Sequence, residues 1–529
     1  MTAASLRPLF ALGVLGLALA GCGSEESKDP AAANQPAPNE LRLVAGSELK
    51  DIEPMLPTIQ KATGVSLKLE YTGTLDVVER LQGDEKADGV WVSHAKYLML
   101  TPGVKEKVKA QEKTMLSPVV LGIKASKAAE LKWTAGDVSW KDIAEAAGKG
   151  RFTFGMSNPA ASNSGFTALV GLAAALSGKG EALTVADIPQ DALSRFFSAQ
   201  RLTAGSSGWL ADAYINDQNR IDGLVNYESV LLSLNASGQA REKLTLIYPK
   251  EGLLTADYPL MLLNNDKRGL YDKVIAYVRG KEFQQAMTKS TLRRPISPDV
   301  SPDPAIPQTL LVDLPFPGNQ TVVDTILDRF LNVQRVPAHS FFVLDTSGSM
   351  SDEDRIGSLR TALKNLSGAD TSLSGRYARF LDREKVTLIA FSSEPQPPVE
   401  FVLAKDKDET LQKINAYADS LYPKGGTAIY DSVLRAYREA MRARDKDPKR
   451  NYSIVLMTDG NNSNGRDFGA FENAYRKLGE DARPIKVFAI GIGSANFSEL
   501  DKLAKLTGGR SFDARKGLAK AFKEIRGYQ

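Results

Sequence analysis

Along most of the chain, short runs of alternating apolar and polar residues are followed by apolar residues at helical spacing. Residues 41–45 alternate with the period of two that is typical of a strand, and residues 46–64 carry the apolar spacing of one helix that stops at a glycine. The same order returns with a strand over 65–71, a helix over 75–81 and a strand over 89–92. Strands that alternate with helices favour a parallel sheet covered by helices, so the pattern predicts an α/β protein.

A proline-rich zone over residues 295–317 interrupts this pattern and marks a boundary, because proline extends neither helices nor central strands. A short amphipathic helix with apolar residues between Val322 and Phe330 follows it. The alternation then resumes as a second α/β region. Its expected strands and its last helix are 341–344, 386–391, 453–457, 485–490 and 516–526.

Composition and charge narrow the classes of function. The chain has 529 residues, which is too long for one hydrophobic core and implies two or three domains. Its 67 Lys and Arg residues nearly balance 63 Asp and Glu residues, so a net charge of +4 gives no electrostatic reason to expect a nucleic-acid partner. Cys22 is the only cysteine, which excludes an intramolecular disulfide and a cysteine metal cluster.

The first forty residues have the pattern of a segment for export and membrane anchoring. Arg7 precedes an apolar run over 9–20 that is too short for a membrane-spanning helix and typical of a secretory signal. The run ends in Leu-Ala-Gly-Cys, which resembles the bacterial lipobox and implies cleavage before Cys22 and acylation of that cysteine. Residues 23–40 are rich in Pro, Ala and polar side chains and predict a flexible tether. We therefore expect an exported protein with a lipid anchor at the cell envelope. In a Gram-negative host, Gly23 after the cysteine resembles the sorting pattern for the outer membrane.

Hydroxyl and carboxyl side chains follow the expected strands of the second region. Asp345, Ser347 and Ser349 come directly after an apolar strand, Thr427 follows two glycines, and Asp459 follows another apolar strand. Because the carboxyl ends of neighbouring parallel strands share one edge of a sheet, these side chains are expected to meet there. They are hard oxygen ligands, which favour Mg²⁺, or else Mn²⁺ or Ca²⁺, over softer metals. Capping of a helix is the alternative role for Asp345 and Ser347, but it explains one loop and not three.

The order Asp345-x-Ser347-x-Ser349, then Thr427, then Asp459 resembles the metal-ion-dependent adhesion site of von Willebrand factor A domains. This resemblance implies a doubly wound, mostly parallel, Rossmann-like sheet with the ion at its carboxyl edge. In that family the two serine positions bind the ion directly, the threonine position binds it directly or through water, and the acids act mostly through bridging waters. One coordination position is left for a carboxylate of a partner protein. An aspartate-nucleophile phosphatase is the chemical alternative, but such enzymes usually carry a second Asp where this chain has Ser347.

Segments of the first region resemble, in their order, class II periplasmic solute-binding proteins, which include binders of oxyanions such as molybdate, sulfate or phosphate. They include residues 44–48, 72–76, 91–94, 155–165 and 226–228. The resemblance implies two lobes with a ligand cleft between them. Neutral hydrogen-bond donors beside helix N-termini are suited to hold an oxyanion, and helix capping is their alternative role. The candidate ligand-binding residues are Ser47, Thr74, Ser93, Ser157, Ser162, Asn163, Ser164 and Tyr227.

The sequence thus predicts five consecutive parts. They are a signal peptide over 1–21, the acylated Cys22 and tether over 22–40, a two-lobed solute-binding-protein-like domain over 41–315, a linker helix over 316–336 and a von Willebrand factor A domain over 337–529. The expected function is non-enzymatic: a divalent metal ion in the last domain binds a protein partner, and a small anionic ligand of the first domain is a second expected partner. Two alternatives stay open, namely a component of an uptake system with the last domain as an accessory, and a metal-assisted hydrolase.

Overall fold

Two mixed sheets with covering helices form two lobes in the computed structural model, which describes residues 39–134, 137–404, 406–493 and 495–528. The first sheet has the strand order β2-β1-β3-β11-β4, with strands β1 (Glu40–Gly46), β2 (Ser66–Thr72), β3 (Gly89–Trp91), β4 (Ala110–Lys113) and β11 (Pro259–Leu262). We call the part of the chain around this sheet lobe 1. The predicted signal peptide, Cys22 and the tether up to residue 38 lie outside the described residues.

Lobe 2 is built around the second sheet, whose order is β10-β5-β8-β6-β7 with β9 also paired to β5. Its strands are β5 (Ser117–Lys124), β6 (Phe154–Ser157), β7 (Gln200–Ala204), β8 (Gly223–Tyr227), β9 (Leu244–Ile247) and β10 (Thr255–Ala256). The chain passes from lobe 1 to lobe 2 between β4 and β5, and it returns between β10 and β11. The two crossings run side by side, because Thr255 pairs with Pro118.

The helices of the two lobes cover both sheets. They are α1 (Leu56–Thr63), α2 (Thr74–Gln82), α3 (Lys96–Leu100), α4 (Ala125–Leu131), α5 (Trp140–Gly148), α6 (Asn163–Ser177), α7 (Gln190–Phe197), α8 (Ser207–Asp217), α9 (Glu228–Ala236), α10 (Arg268–Val278) and α11 (Lys281–Thr291). One buried apolar cluster runs through both lobes. The lobes therefore pack on each other as well as on their own sheets.

Two local expectations differ from the structure in this region. The single helix expected over 46–64 is a 3₁₀ helix over Ser47–Met55 followed by α1, because Pro54 lies inside the first segment and has no N–H to continue an α-helical ladder. The sheets are mixed rather than parallel, since β11 runs antiparallel to β3 and β4, and β5 runs antiparallel to β8. Strands that return from one lobe to the other enter the sheet in the opposite direction.

Helix α12 (Gln320–Arg329) joins the lobes to the last part of the chain. Its buried residues Val322, Val323 and Ile326 belong to the apolar cluster of the two lobes. A π-helical turn over Phe330–Gln334 ends it. The described residues from Glu40 onward form one compact unit, which includes this connection.

A six-stranded sheet with the order β14-β13-β12-β15-β16-β17 forms the last part of the chain. Its strands are β12 (Ala338–Asp345), β13 (Lys385–Phe391), β14 (Val399–Val402), β15 (Asn451–Thr458), β16 (Lys486–Gly491) and β17 (Arg510–Asp513). All neighbouring pairs are parallel except β13 with β14. Its helices are α13 (Arg355–Lys364), α14 (Leu373–Ala378), α15 (Asp408–Ser420), α16 (Ile429–Lys446), α17 (Phe468–Lys477), α18 (Phe497–Leu506) and α19 (Leu518–Arg526).

Strand β12 is buried on both faces, which explains the continuous apolar run over its residues 341–344. Phe342 and Leu344 point into one apolar cluster, and Phe341 and Val343 point into another on the opposite face. From β12 the chain first adds strands on one side and then crosses to add β15 on the other side. The direction in which strands are added therefore reverses between β12 and β15. Ligands of doubly wound sheets bind at the carboxyl edge of such a switch point.

Among the residues that the structure describes, none of the helices has the length and apolarity needed to cross a bilayer.

Candidate functional site

Five residues from the sequence prediction, which we call the carboxyl-edge set, lie around the switch point of the last sheet. Asp345 is the last residue of β12, and Asp459 directly follows β15. Ser347 and Ser349 lie in the loop after β12, and Thr427 lies just before α16. Because β12 and β15 are hydrogen-bonded parallel neighbours, their last residues reach the same edge.

Asp345 is fully buried and fixed by two hydrogen bonds. Its Oδ1 accepts from the backbone N–H of Ser347 at 2.8 Å, and its Oδ2 accepts from the hydroxyl of Thr458 at 2.5 Å. Burial raises the pKa of Asp345 to about 6, although the hydrogen bonds from Ser347 and Thr458 lower it. A buried carboxylate of this kind gains from a nearby positive charge.

The hydroxyls of the loop connect the two acids. The Oγ atoms of Ser347 and Ser349 lie 3.3 Å apart, and Ser349 Oγ donates to Asp459 Oδ1 at 2.9 Å. Oxygen atoms from the loops after β12 and β15 thus converge within hydrogen-bond distance.

Thr427 reaches the same place from a third loop. A Cβ atom built on Gly460 would lie 3.7 Å from Thr427 Oγ1 and 3.8 Å from Ser349 Oγ, so both hydroxyls face this glycine. The backbone of Thr427 is held by Ser463, whose hydroxyl accepts from the Thr427 N–H at 2.9 Å and whose own N–H donates to the Thr427 carbonyl at 2.9 Å. The structure therefore brings all five members of the carboxyl-edge set to one edge of the sheet.

The carboxyl-edge set consists of two carboxylates and three hydroxyls, which is a donor chemistry that fits Mg²⁺, Mn²⁺ or Ca²⁺. Within the described ranges no group of three or more His, Cys, Asp and Glu side chains is placed to share a metal ion. The hydroxyl oxygens therefore have to supply part of any coordination sphere at this edge.

Two neighbours of the set were not predicted from the sequence. Thr458 bonds to Asp345, and the Arg355 guanidinium donates to Asp459 Oδ2 at 2.7 Å. Thr458 was predictable from its position one residue before Asp459. It is the last residue of β15, and it therefore lies beside the last residue of the neighbouring strand β12, which is Asp345. No local pattern points to Arg355, which reaches the site from the start of α13.

The eight ligand-binding candidates of the first region lie where the two lobes meet, and five of them form two hydrogen-bonded groups. In lobe 2, Ser164 Oγ is 2.8 Å from Ser157 Oγ and 3.2 Å from Ser162 Oγ. Between the lobes, Thr74 Oγ1 of lobe 1 donates to Asn163 Oδ1 of lobe 2 at 2.5 Å.

The remaining three candidates lie nearby. Ser93 is buried beside the carboxylate of Glu48, whose pKa it helps to lower. Tyr227 is fully buried, and its hydroxyl has no hydrogen-bond partner in the described part of the chain. Ser47 lines a cavity of about 560 Å³. Glu48 was not among the predicted residues, and as a single acid after a strand it carried no signal.

The cavity beside Ser47 is lined in part by the end of α19. Its walls come from lobe 1 at Gly73, from lobe 2 at Ala161 and Gly205, and from the end of α19 at Gly527 and Tyr528. Asn158 Nδ2 donates to the carbonyl of Arg526 at 3.2 Å. The C-terminal domain therefore forms part of the wall of this cavity, next to the two lobes.

Contacts of the lobes with the last domain are made at the amino edge of its sheet. At this edge Glu384, which precedes β13, forms an ion pair with Arg526 of the same domain at 2.8 Å and a second one with Arg335, which lies in the connection before β12. Lys486, the first residue of β16, lies 5.3 Å above the ring of Trp209 of lobe 2. On lobe 1, Glu79 accepts from the N–H and the hydroxyl of Ser374.

Comparisons with known proteins agree with this division. Residues 41–293 match the family described as bacterial extracellular solute-binding protein, and residues 341–524 match the von Willebrand factor type A domain. The pig inter-alpha-trypsin inhibitor heavy chain H4 is 30% identical over 183 residues, which are 33% of this chain and 18% of that protein. The protein YfbK of Escherichia coli is 22% identical over 246 residues, which are 43% of this chain and 40% of that protein. The chain thus spans less than half of either relative.

The comparison with solved structures gives matches that cover about half of this chain. The periplasmic binding protein AfuA from Actinobacillus pleuropneumoniae has 11% identity and a TM-score of 0.43, and the match covers 56% of this chain and 98% of AfuA. A ferric binding protein from Campylobacter jejuni has 13% identity and a TM-score of 0.40, with 54% and 95% covered. With the two family matches and the observed sheets, the fold expected from the sequence is confirmed: this chain carries an N-terminal bacterial extracellular solute-binding domain followed by a C-terminal von Willebrand factor A domain.

Proposed function

We propose that this protein is a non-enzymatic binding protein of the cell envelope, in which a divalent metal ion in the von Willebrand factor A domain binds a carboxylate of a partner protein. The observation that carries the proposal is the convergence of oxygens from separate loops, with Ser347 Oγ 3.3 Å from Ser349 Oγ and Ser349 Oγ 2.9 Å from Asp459 Oδ1. Domains of this family typically mediate protein interactions, which supports the same role here.

Ser347, Ser349 and Thr427 would hold the ion with their hydroxyl oxygens, and Asp345 and Asp459 would balance its charge. A bound ion would supply a free coordination position for an acidic side chain of the partner. The buried Asp345 is held in place by Thr458 and by the Ser347 N–H, so its carboxylate needs no rearrangement when the ion arrives. Magnesium is our first choice because both ligand types are hard oxygens.

The place of action proposed here is the outside of the cytoplasmic membrane. The family of the N-terminal domain is extracellular, which supports export. We further propose that Cys22 is acylated, so that the two folded domains are tethered to a membrane through residues 23–40.

The test is a pull-down from an envelope fraction with and without EDTA, using the full-length protein and two serine variants. Ser349→Ala removes an oxygen of the carboxyl-edge set. Ser351→Ala is the matched control, because Ser351 lies in the same loop but donates its hydroxyl to the carbonyl of Gly348. We expect capture of a partner by the native protein and by Ser351→Ala in Mg²⁺ only, and loss of capture in Ser349→Ala.

Capture that survives EDTA, or equal capture by both variants, contradicts metal-dependent binding. The variant Asp345→Ala adds a direct measurement, because calorimetry should find no Mg²⁺ binding to it. Turnover of a generic phosphoester that Mg²⁺ stimulates, and that Ser349→Ala abolishes, would favour the hydrolase alternative instead.

A further inference from the structure

A carboxylate of the chain itself lies against two of the predicted oxyanion ligands, Asn163 and Ser93. Glu48 follows β1 in lobe 1 and is only 8% exposed. Its Oε1 and Oε2 accept from the side-chain amide of Asn163 at 3.1 and 3.0 Å. Asn163 is the first residue of α6 in lobe 2, so this contact joins the two lobes.

Space for this carboxylate exists because residue 46 is a glycine. A Cβ atom at Gly46 would lie 2.3 Å from Glu48 Oε1 and 2.7 Å from Asn163 Nδ2, both closer than real Cβ contacts. The φ of Gly46 is −65°, which any residue adopts, so conformational freedom is not the reason for the glycine. Its missing side chain leaves room for the Glu48–Asn163 contact.

The surroundings of Glu48 are those of an anion-binding site. Thr74 Oγ1 donates to Asn163 Oδ1, which turns the Asn163 amide nitrogen toward the carboxylate. The fully buried Arg293 donates to the Glu48 carbonyl at 3.1 Å and to Asp51 at 2.7 Å. Burial raises the pKa of the Glu48 carboxyl above its ordinary value, and the hydrogen bonds from its own backbone N–H and from Asn163 and the charge of Arg293 offset this only in part. The N-terminus of α6 adds the partial positive charge that favours an anion.

We propose that Glu48 is a built-in ligand of the N-terminal domain, whose carboxylate takes the place of a bound oxyanion and holds the two lobes closed. A free oxyanion would have to displace this carboxylate from Asn163 or share the site with a like charge. The domain then acts as a closed support for the von Willebrand factor A domain. This inference is independent of the proposed metal site, because none of its residues belongs to the carboxyl-edge set.

The first experiment is equilibrium dialysis of the full-length protein against molybdate, sulfate and phosphate. The native protein should retain none of them. The variant Glu48→Ala should retain at least one, with an affinity ~10-fold or more above that of the native protein. Glu112→Ala serves as the control, since Glu112 lies on lobe 1 at the surface and pairs with Arg279 outside the cleft. Stoichiometric retention of an oxyanion by the native protein would overturn the inference.

The second experiment is chemical rescue. Formate or acetate should raise the Tm of Glu48→Ala and leave the Tm of the native protein and of Glu112→Ala unchanged, because only the first has an empty carboxylate position. Equal responses of all three proteins contradict the inference. If Glu48→Ala does not fold, Glu48→Gln replaces it: its neutral amide keeps the volume, so it should fold with a lower Tm and no response to formate. An unchanged Tm of Glu48→Gln would mean that the charge of Glu48 does not hold the lobes together.

Discussion

The ring of Tyr528 stands edge-on against the ring of Trp209, with centroids 4.5 Å apart and an interplanar angle of 88°. Trp209 belongs to α8 of lobe 2, and Tyr528 follows α19 of the von Willebrand factor A domain. Tyr528 also packs against Gly205, where a Cβ atom would lie 2.7 Å from the tyrosine ring. The two domains are thus joined by a specific aromatic contact and not only by the connection through α12.

This contact predicts that the domains unfold together. Tyr528→Ala should remove ~3 kcal/mol of packing at the junction and separate one calorimetric unfolding transition into two. Tyr422→Ala is the matched control, because Tyr422 is 72% exposed and its truncation should leave the transition as it is. Identical thermograms for the two variants would show that the junction does not couple the domains.

Because the ion pairs of Glu384 are buried, we expect that removing its charge causes a large loss of stability. Glu384 is 1% exposed and pairs with Arg335 and Arg526, so Glu384→Gln leaves two buried guanidinium groups short of a counter-charge. We expect a loss of ~3–5 kcal/mol in the free energy of unfolding, measured by urea titration. Glu409→Gln, whose carboxylate pairs with Lys413 at the surface, should unfold at the native urea midpoint.

Low pH should weaken the ion pairs of Glu384 with Arg526 and Arg335. Burial alone would raise the pKa of Glu384, but Arg526 and Arg335 reverse this and hold it below its usual value. An acid with a lowered folded-state pKa stabilises the fold above its unfolded pKa, and this contribution is lost as the pH falls through the folded-state pKa. The urea midpoint of the native protein should therefore fall more steeply below about pH 4.5 than that of Glu384→Gln. Parallel pH profiles of the two proteins would contradict this.

The contact between Arg355 and Asp459 predicts that removal of this arginine strengthens metal binding. Its guanidinium lies 2.7 Å from Asp459 Oδ2 and competes with a divalent cation for that carboxylate. Arg355→Ala should bind Mg²⁺ more tightly, by up to ~10-fold, in isothermal titration calorimetry. Arg360→Ala, on the same helix but bonded to the Leu421 carbonyl, should keep the native affinity. A lower affinity of Arg355→Ala would mean that the guanidinium supports the site rather than competing for it.

The pKa of Asp345 predicts how metal binding depends on pH. Burial raises the pKa of this acid to about 6, so without metal the folded state holds a proton that the unfolded state releases near pH 4. Ionisation of Asp345 therefore costs stability as the pH rises from about 4 to 6, and a cation can offset this cost only above that range. Mg²⁺ should raise the Tm at pH 7.5 and have little effect at pH 5. Ser349→Ala should lack the response at both values, and an equal Mg²⁺ response of the native protein at pH 5 and pH 7.5 would contradict the assignment.

In the last sheet, periodicity predicted the buried strands but not the two strands at its edges. Expected strands over 341–344 and 386–391 lie within β12 and β13, because strands buried on both faces have continuous apolar sequences. Strand β14 was missed, since only Phe401 of its four residues is buried and its identity depends on pairing with β13. Strand β17 is likewise short and half-exposed.

The loops of the candidate site were predictable for the same reason, because acids and hydroxyls after an apolar strand reach the carboxyl edge. What the sequence left out are contacts between residues far apart along the chain. Glu48 meets Asn163 across 115 positions, and Glu384 meets Arg526 across 142. Neither pair has a local pattern, since each depends on how whole lobes and domains pack.

The solute-binding domain holds the sheet of the von Willebrand factor A domain at the end where its parallel strands begin, whereas Asp345 and Asp459 lie where they finish. Strand β12 has eight residues, which puts ~26 Å between these two ends. A protein that docks on the metal ion would therefore approach without steric hindrance from the cleft. Binding at one end and packing at the other are then sterically independent, and any communication between them has to pass through the body of the von Willebrand factor A domain.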